Sequence, residues 1–190
     1  VNSSTLDGNY LWRDWIRLII QAGKTQAFLD FIGNDKFRFT IDNFYSESKT
    51  TTVNSNEVHK EIKEFVQLHD LKQTKMLYAK IENLQNISKS HLVAIGNHTA
   101  NHYLLSSLKK DEQKKEIING KIFLDRHGIK NELVFAAPFG GYKSINKLTL
   151  DILEEHDYKG LFLTNGISRV DKSKLPRPTP LAISNRFLPH

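Results

Sequence analysis

The 190-residue chain has no cysteine, which excludes disulfides and thiolate metal sites and leaves histidine and carboxylate to hold any metal. A reducing compartment is permitted by that absence and not required by it. No apolar run in the chain approaches the ~20 residues that a membrane-spanning helix needs. An acidic excess is also lacking: 27 Lys and Arg stand against 21 Asp and Glu, a net charge of +6. That balance suits an anionic or lipid-linked sugar and equally raises nucleic acid. The basic residues Lys109, Lys110, Lys114 and Lys115, however, alternate with Asp111, Glu112 and Glu116, which is how a solvated helix face with i, i+4 pairs reads. Nucleic acid is therefore set aside. A hydrophobic content of 39% supports one sizeable core, and a single domain over 1–190 accounts for it.

What the chain does have is a pair of histidines, His98 and His102, four residues apart. On a helical turn that spacing aims both rings the same way, and neutral imidazole is the commonest nitrogen ligand for zinc. Eight histidines in 190 residues give about 0.3 such pairs at random, so the surroundings must carry the reading. Leu92, Val93, Ala94 and Ile95 form an apolar run closed by Gly96 and Asn97, read as a buried strand whose carboxyl end delivers the pair. Parallel α/β folds place their chemistry at such strand ends. Leu133, Val134, Phe135, Ala136 and Ala137 predict a second strand. It is stopped by Pro138, Phe139, Gly140, Gly141 and Tyr142, where glycine lets backbone approach a ligand.

Residues 111–127 read as the intervening helix, with Ile117, Ile118, Ile122, Phe123 and Leu124 at helical spacing and Gly128 placed to end it. Ser144 is expected to cap a further helix carrying Ile145, Leu148, Ile152 and Leu153, and residues 160–164 read as a third strand. Repeated strand and helix units predict a parallel sheet or barrel. Residues 10–87 read as mainly helical, with stripes at Trp12, Trp15, Ile16 and Ile19, at Val58, Ile62, Phe65 and Val66, and at Leu77, Ile81 and Leu84. Both tryptophans are expected to pack. Residues 42–56, rich in Ser, Thr and Asn, read as an exposed loop.

The run IGNHTANH at residues 95–102 resembles the His-Ser/Thr-x-x-His metal motif of the NodB-type polysaccharide deacetylases, carbohydrate esterase family four. The segment FAAPFG at residues 135–140 is similar to that family's next motif, in its Pro-Phe-Gly form. Glu112 and residues 115–117 fall where the intervening helix carries matching residues, and residues 157–160 and 164–166 resemble the later strand. The likeness spans about 88–166. It implies an incomplete, distorted parallel (β/α) barrel with residues 10–87 as a helical insertion. It implies a divalent metal, zinc first, on His98 and His102, with Thr99 at the Ser/Thr position. The backbone N–H of Phe139 would be the oxyanion donor, and Pro138, Gly140 and Tyr142 would face the substrate.

The family's first motif, Thr-Phe-Asp-Asp-Gly, supplies the third ligand and the base, and no segment of this chain reproduces it. Residues 5–8, TLDG, come nearest and read as a loop, while residues 1–4 resemble the tail of the family's second strand. The chain is therefore expected to start downstream of that motif, as a fragment inactive alone. Leu188, Pro189 and His190 spell the family's Leu-x-His acid, making His190 a candidate catalytic residue, and Ala136 stands where an arginine usually steers the base. The expected reaction is removal of N-acetyl, or O-acetyl, groups from a glycan or lipid-linked sugar. The alternative is an inactive carbohydrate-binding or scaffold module of the same fold. A zinc protease is excluded because Thr99 stands where that motif needs glutamate.

Overall fold

Three of the five apolar residues at 133–137 form β1 (Val134–Ala136), whose central Phe135 is fully buried. The computed structural model describes residues 1–6, 8–33, 36–73, 78–164 and 166–168, the last three by backbone alone. Strand β1 pairs in parallel with β2 (Gly160–Leu163), Phe135 opposite Leu161, and β2 pairs antiparallel with β3 (Gly166–Ser168). Two single rungs extend the parallel side. Asn97 bridges Phe135, and Val1 lies against the far side of Asn97, its nitrogen donating to Gly96 O at 2.8 Å while His98 N donates to Val1 O at 2.9 Å. The order Val1, Asn97, β1, β2 follows the chain, as successive strand and helix units require. This is an α/β fold. Among the described residues the sheet does not close into a barrel, and β3 departs from the expected parallel run.

The strand expected at Leu92, Val93, Ala94 and Ile95 is displaced. Leu92 is 82% and Val93 43% exposed, and pairing begins only at Ile95, whose carbonyl accepts from Glu132 N at 2.8 Å. Leu92 stays largely exposed, whereas at Gly96 the chains touch: a Cβ there would lie 2.8 Å from Val134 Cγ2. Close approach is possible where the side chain vanishes, so the pairing slides toward it.

The helices follow their apolar stripes. In α2 (Trp12–Gln21), Trp12, Ile16 and Ile19 are buried, and in α5 (Ser55–Leu68) the same i, i+4, i+7 pattern buries Val58, Ile62 and Phe65. Asn54 caps α5 by accepting from Asn56 N and Glu57 N. In α7 (Lys110–Arg126), the Glu112 carboxylate accepts from Lys109 N at 2.9 Å, and Gly128 takes a left-handed φ of 62° just beyond the end. The helix α8 (Lys147–Glu155) is capped by Asn146, not Ser144: Asn146 Oδ1 accepts from Thr149 N, while the Ser144 hydroxyl donates to Gly141 O inside the preceding turn. Residues 3–6, expected as loop and strand tail, make a single helical turn, and α3 (Thr25–Ile32) and α6 (Ile81–Ile87) complete the well-separated helices. Leu77 and Asp7 lie outside the described residues. No helix among them is long and apolar enough to cross a membrane.

Residues 42–56 are not an exposed loop. Thr40 and Asn43 bond reciprocally and start α4 (Phe44–Glu47), whose Phe44 is fully buried with its ring 4.9 Å from Phe28 and 5.4 Å from Phe39. Polar composition masked one aromatic anchor. The core that receives it is continuous from Trp12, Phe28 and Phe65 to Phe135, Ile152 and Leu161, so the first helices and the sheet share one apolar interior.

Truncating Phe44 to alanine is expected to cost about 3–5 kcal/mol, measured by urea unfolding. His59, buried beside the Tyr103 hydroxyl, is lowered by burial to about 3. The unfolded chain takes up a proton near its ordinary value of about 6.5 that the folded chain refuses, so stability holds above that pH and declines as the pH falls toward 3. A shallower acid decline in His59→Gln, read from urea midpoints across the series, is the expected result; an unchanged slope contradicts it.

Candidate metal centre

Asn97 ends the parallel rung, and its side chain is buried to 1% exposure. A buried amide must be fully bonded, and this one is: Nδ2 donates to Ile117 O at 2.7 Å and to the Tyr158 hydroxyl at 2.6 Å, while Oδ1 accepts from Thr99 N at 2.9 Å. Gly120 of α7 makes the room. A Cβ at that position would stand 2.3 Å from Asn97 Oδ1.

The bond to Thr99 N turns the chain sharply. Thr99 and His102 adopt left-handed φ values of 66° and 58°, a strained choice for a β-branched residue. The surroundings hold it there. Thr99 Oγ1 accepts from His102 N at 3.0 Å, and Glu116 of α7 accepts from both Asn101 N and Asn101 Nδ2 at 2.8 and 2.6 Å. Ser4 donates to Ala100 O through backbone and hydroxyl, and Trp12 Nε1 donates to His102 O at 3.2 Å. The histidines therefore sit in a clamped loop, not on a helical turn, yet their ring centroids lie 4.7 Å apart at 80°.

His98 Nδ1 lies 2.7 Å from Ala136 O. A carbonyl only accepts, so Nδ1 carries the proton and Nε2 is left with its lone pair, the arrangement that orients a ligating imidazole. His102 Nδ1 is buried without a hydrogen-bond partner. Burial lowers His98 to about 4, and burial followed by the neighbouring His98 lowers His102 to about 3. Both rings are neutral at pH 7, the form that binds metal. Two open nitrogens on adjacent neutral rings fit a divalent cation, although no group of three His, Asp or Glu side chains able to hold one occurs among the described residues.

The second strand end meets the pair. His102 packs edge-on against Phe139 at 5.1 Å, and the Arg13 guanidinium lies over the same Phe139 ring at 5.3 Å with its Nε buried and unpartnered. Phe139 and Gly140 both have positive φ, at 64° and 68°. Glycine is required at 140, where a Cβ would come 2.2 Å from Thr164 Cγ2. Among the described residues nothing accepts from Phe139 N–H. Pro138 is buried under this turn and Tyr142 is half-exposed beyond it.

The histidine loop and the turn at residues 138–140 fall inside the stretch, residues 35–161, that the family model described as polysaccharide deacetylase matches. The chain belongs to the polysaccharide deacetylase family. No curated protein matches it. Among solved structures, the Streptococcus pyogenes deacetylase PplD in complex with acetate is similar at 16% identity, covering 89% of this chain and 81% of that one, with a TM-score of 0.41. In this deacetylase domain the structure brings together His98, His102, Pro138, Phe139 and Gly140, while His190 lies outside the described residues. Sequence reasoning missed Asn97, Arg13 and Glu116. Glu116 had been expected on a solvated face and is buried, its pKa raised by burial against the bonds from Asn101. A lone amide or a carboxylate among lysines carries no periodic signal.

Gly120→Ala should push Asn97 from its seat and destabilise the domain by about 1–3 kcal/mol, with altered His98 and His102 ring resonances by NMR. Unshifted resonances in a folded variant would mean that Asn97 does not set the pair.

Proposed function

We propose that the chain is the histidine-bearing part of a metal-dependent deacetylase that removes N-acetyl, or O-acetyl, groups from a glycan or lipid-linked sugar. The observation that carries the reading is the clamped contact of His98 and His102 beside the Pro138, Phe139 and Gly140 turn, within a chain of the polysaccharide deacetylase family. On this reading the sheet is part of a distorted parallel (β/α) barrel with residues 10–87 as a helical insertion. His98 and His102 hold a divalent cation, most simply zinc, through imidazole nitrogen. A bound cation of this kind supplies an acidified water and polarises the acetyl carbonyl.

The protein's own residues do the rest. His98 is held in one tautomer by Ala136 O. On this reading Phe139 N–H, with no acceptor among the described residues, would donate to the oxyanion formed when the carbonyl is attacked. Pro138 and Gly140 shape the wall beside it, and Tyr142 stands at the rim. Among the described residues no group of three His, Asp or Glu includes the pair, and the sequence carries no Thr-Phe-Asp-Asp-Gly, so on this reading the chain by itself is expected to be weak or inactive. That same observation favours a second reading, an inactive carbohydrate-binding or scaffold module. Chelator-sensitive acetate release separates the enzyme from the module, whose glycan affinity ignores a chelator.

Zinc titration calorimetry on wild type, His98→Ala and His102→Ala tests the assignment. Each variant should lose more than the ~100-fold typical of removing an outer-shell partner. Unchanged zinc affinity in either one overturns the site.

A further inference from the structure

Three cationic side chains gather beside the turn that meets the histidine pair. Arg13 and Arg17 stand four apart on α2 and so face the same way, and Lys49 follows α4 just beyond Tyr45. Two of them converge on Tyr45. Arg17 Nη2 donates to its hydroxyl at 2.9 Å with the guanidinium carbon 5.6 Å from the ring centre, and Lys49 Nζ lies 3.5 Å from that centre. Buried Phe44 fixes α4 against Phe28, which brings Tyr45 up to α2. Arg13 continues the line toward the site, over the Phe139 ring at 5.3 Å. Burial would raise the Tyr45 phenol, yet the bond from Arg17 and the charges of Lys49, Arg17 and Arg13 hold it below its ordinary value. The Arg13 charge also acts on both imidazoles, so the cations and the histidine pair share one electrostatic neighbourhood.

This charge is mostly unanswered. Among the described residues only Asp14 pairs with any of the three, 3.4 Å from Arg17, and its other oxygen accepts from the Tyr78 hydroxyl. Arg13 Nε is buried without a partner. Like charges four apart on a helix repel, so the group gains by taking up an anion. With one of three cations offset, the surplus matches a dianion with several acceptor oxygens, which is phosphate; a carboxylate brings one charge and two oxygens. The Tyr45 hydroxyl, an acceptor from Arg17, keeps its own hydrogen to donate. We propose that Arg13, Arg17, Lys49 and the Tyr45 hydroxyl bind a phosphate group carried by the sugar that reacts at the histidine pair, so that the substrate is a phosphorylated or diphosphate-linked sugar and not a neutral glycan. The proposal rests on the deacetylase reading for the sugar, whereas the phosphate contacts themselves need no metal.

Titration calorimetry on metal-free protein at constant ionic strength, comparing N-acetylglucosamine 1-phosphate with N-acetylglucosamine, is the test. The phosphorylated sugar should bind at least about tenfold more tightly, the factor that one charge-assisted hydrogen bond supplies. Arg13→Gln, Arg17→Gln and Lys49→Gln should each weaken it by a similar factor, whereas His98→Ala and Lys63→Gln, a cation on α5 outside the group, should leave it unchanged. Lys49→Gln keeps the test open should a guanidinium variant fail to fold. Inorganic phosphate and pyrophosphate, titrated in the same way, separate the sources: tighter pyrophosphate marks a diphosphate link, and equal affinity a monoester. Equal binding of the phosphorylated and plain sugars, or equal weakening by Lys63→Gln and Lys49→Gln, overturns the proposal. Failure of the deacetylase reading shows itself separately, as zinc affinity unaffected by His98→Ala.

Discussion

The buried side chain of Asn97 is where sheet, helix and histidine loop meet. Its backbone makes the parallel rung with Phe135, and its amide satisfies a carbonyl of α7, the Tyr158 hydroxyl and the first N–H of the loop. Removing one partner from such a network strands the others in a low-dielectric interior, at ~1–3 kcal/mol each. The network is also directional. Only one orientation of the amide meets all three demands, so the departure angle of the chain toward His98 is set by hydrogen-bond chemistry before any ring packs.

From that point the site is assembled by elements far apart in sequence. Helix α7 contributes Glu116 beneath Asn101, α2 contributes Trp12 to His102 O and Arg13 over Phe139, and the first residues pin Ala100. The shared apolar core between the first helices and the sheet is what keeps these contributions in register. Helix α2 is thus both packing element and site wall, with Trp12 and Ile16 inward and Arg13 over the Phe139 ring.

Much of this was legible where side-chain period and burial agree. The strands at 134–136 and 160–163 follow from apolar runs closed by turn residues, and α7 with its glycine end and the stripe of α2 from helical spacing. The histidine contact was legible for a different physical reason than expected: spacing brought attention to the pair, but left-handed turns at Thr99 and His102 bring the rings together. Leu92 and Val93 misled because an apolar run is buried only if something packs on it. Phe44 misled in the opposite sense, a lone aromatic in polar company that the core nonetheless takes. Asn97, Glu116 and the cap at Asn146 depend on partners more than ten or only three residues away, and neither case leaves a repeating mark.

The left-handed turn at Thr99 carries a consequence for entropy as well as geometry. A loop held open by its own hydrogen bonds has little left to rearrange when a guest arrives, so little ordering entropy remains to be lost. The imidazoles are thus preset by the bonds of Ser4, Trp12 and Glu116 that hold the loop.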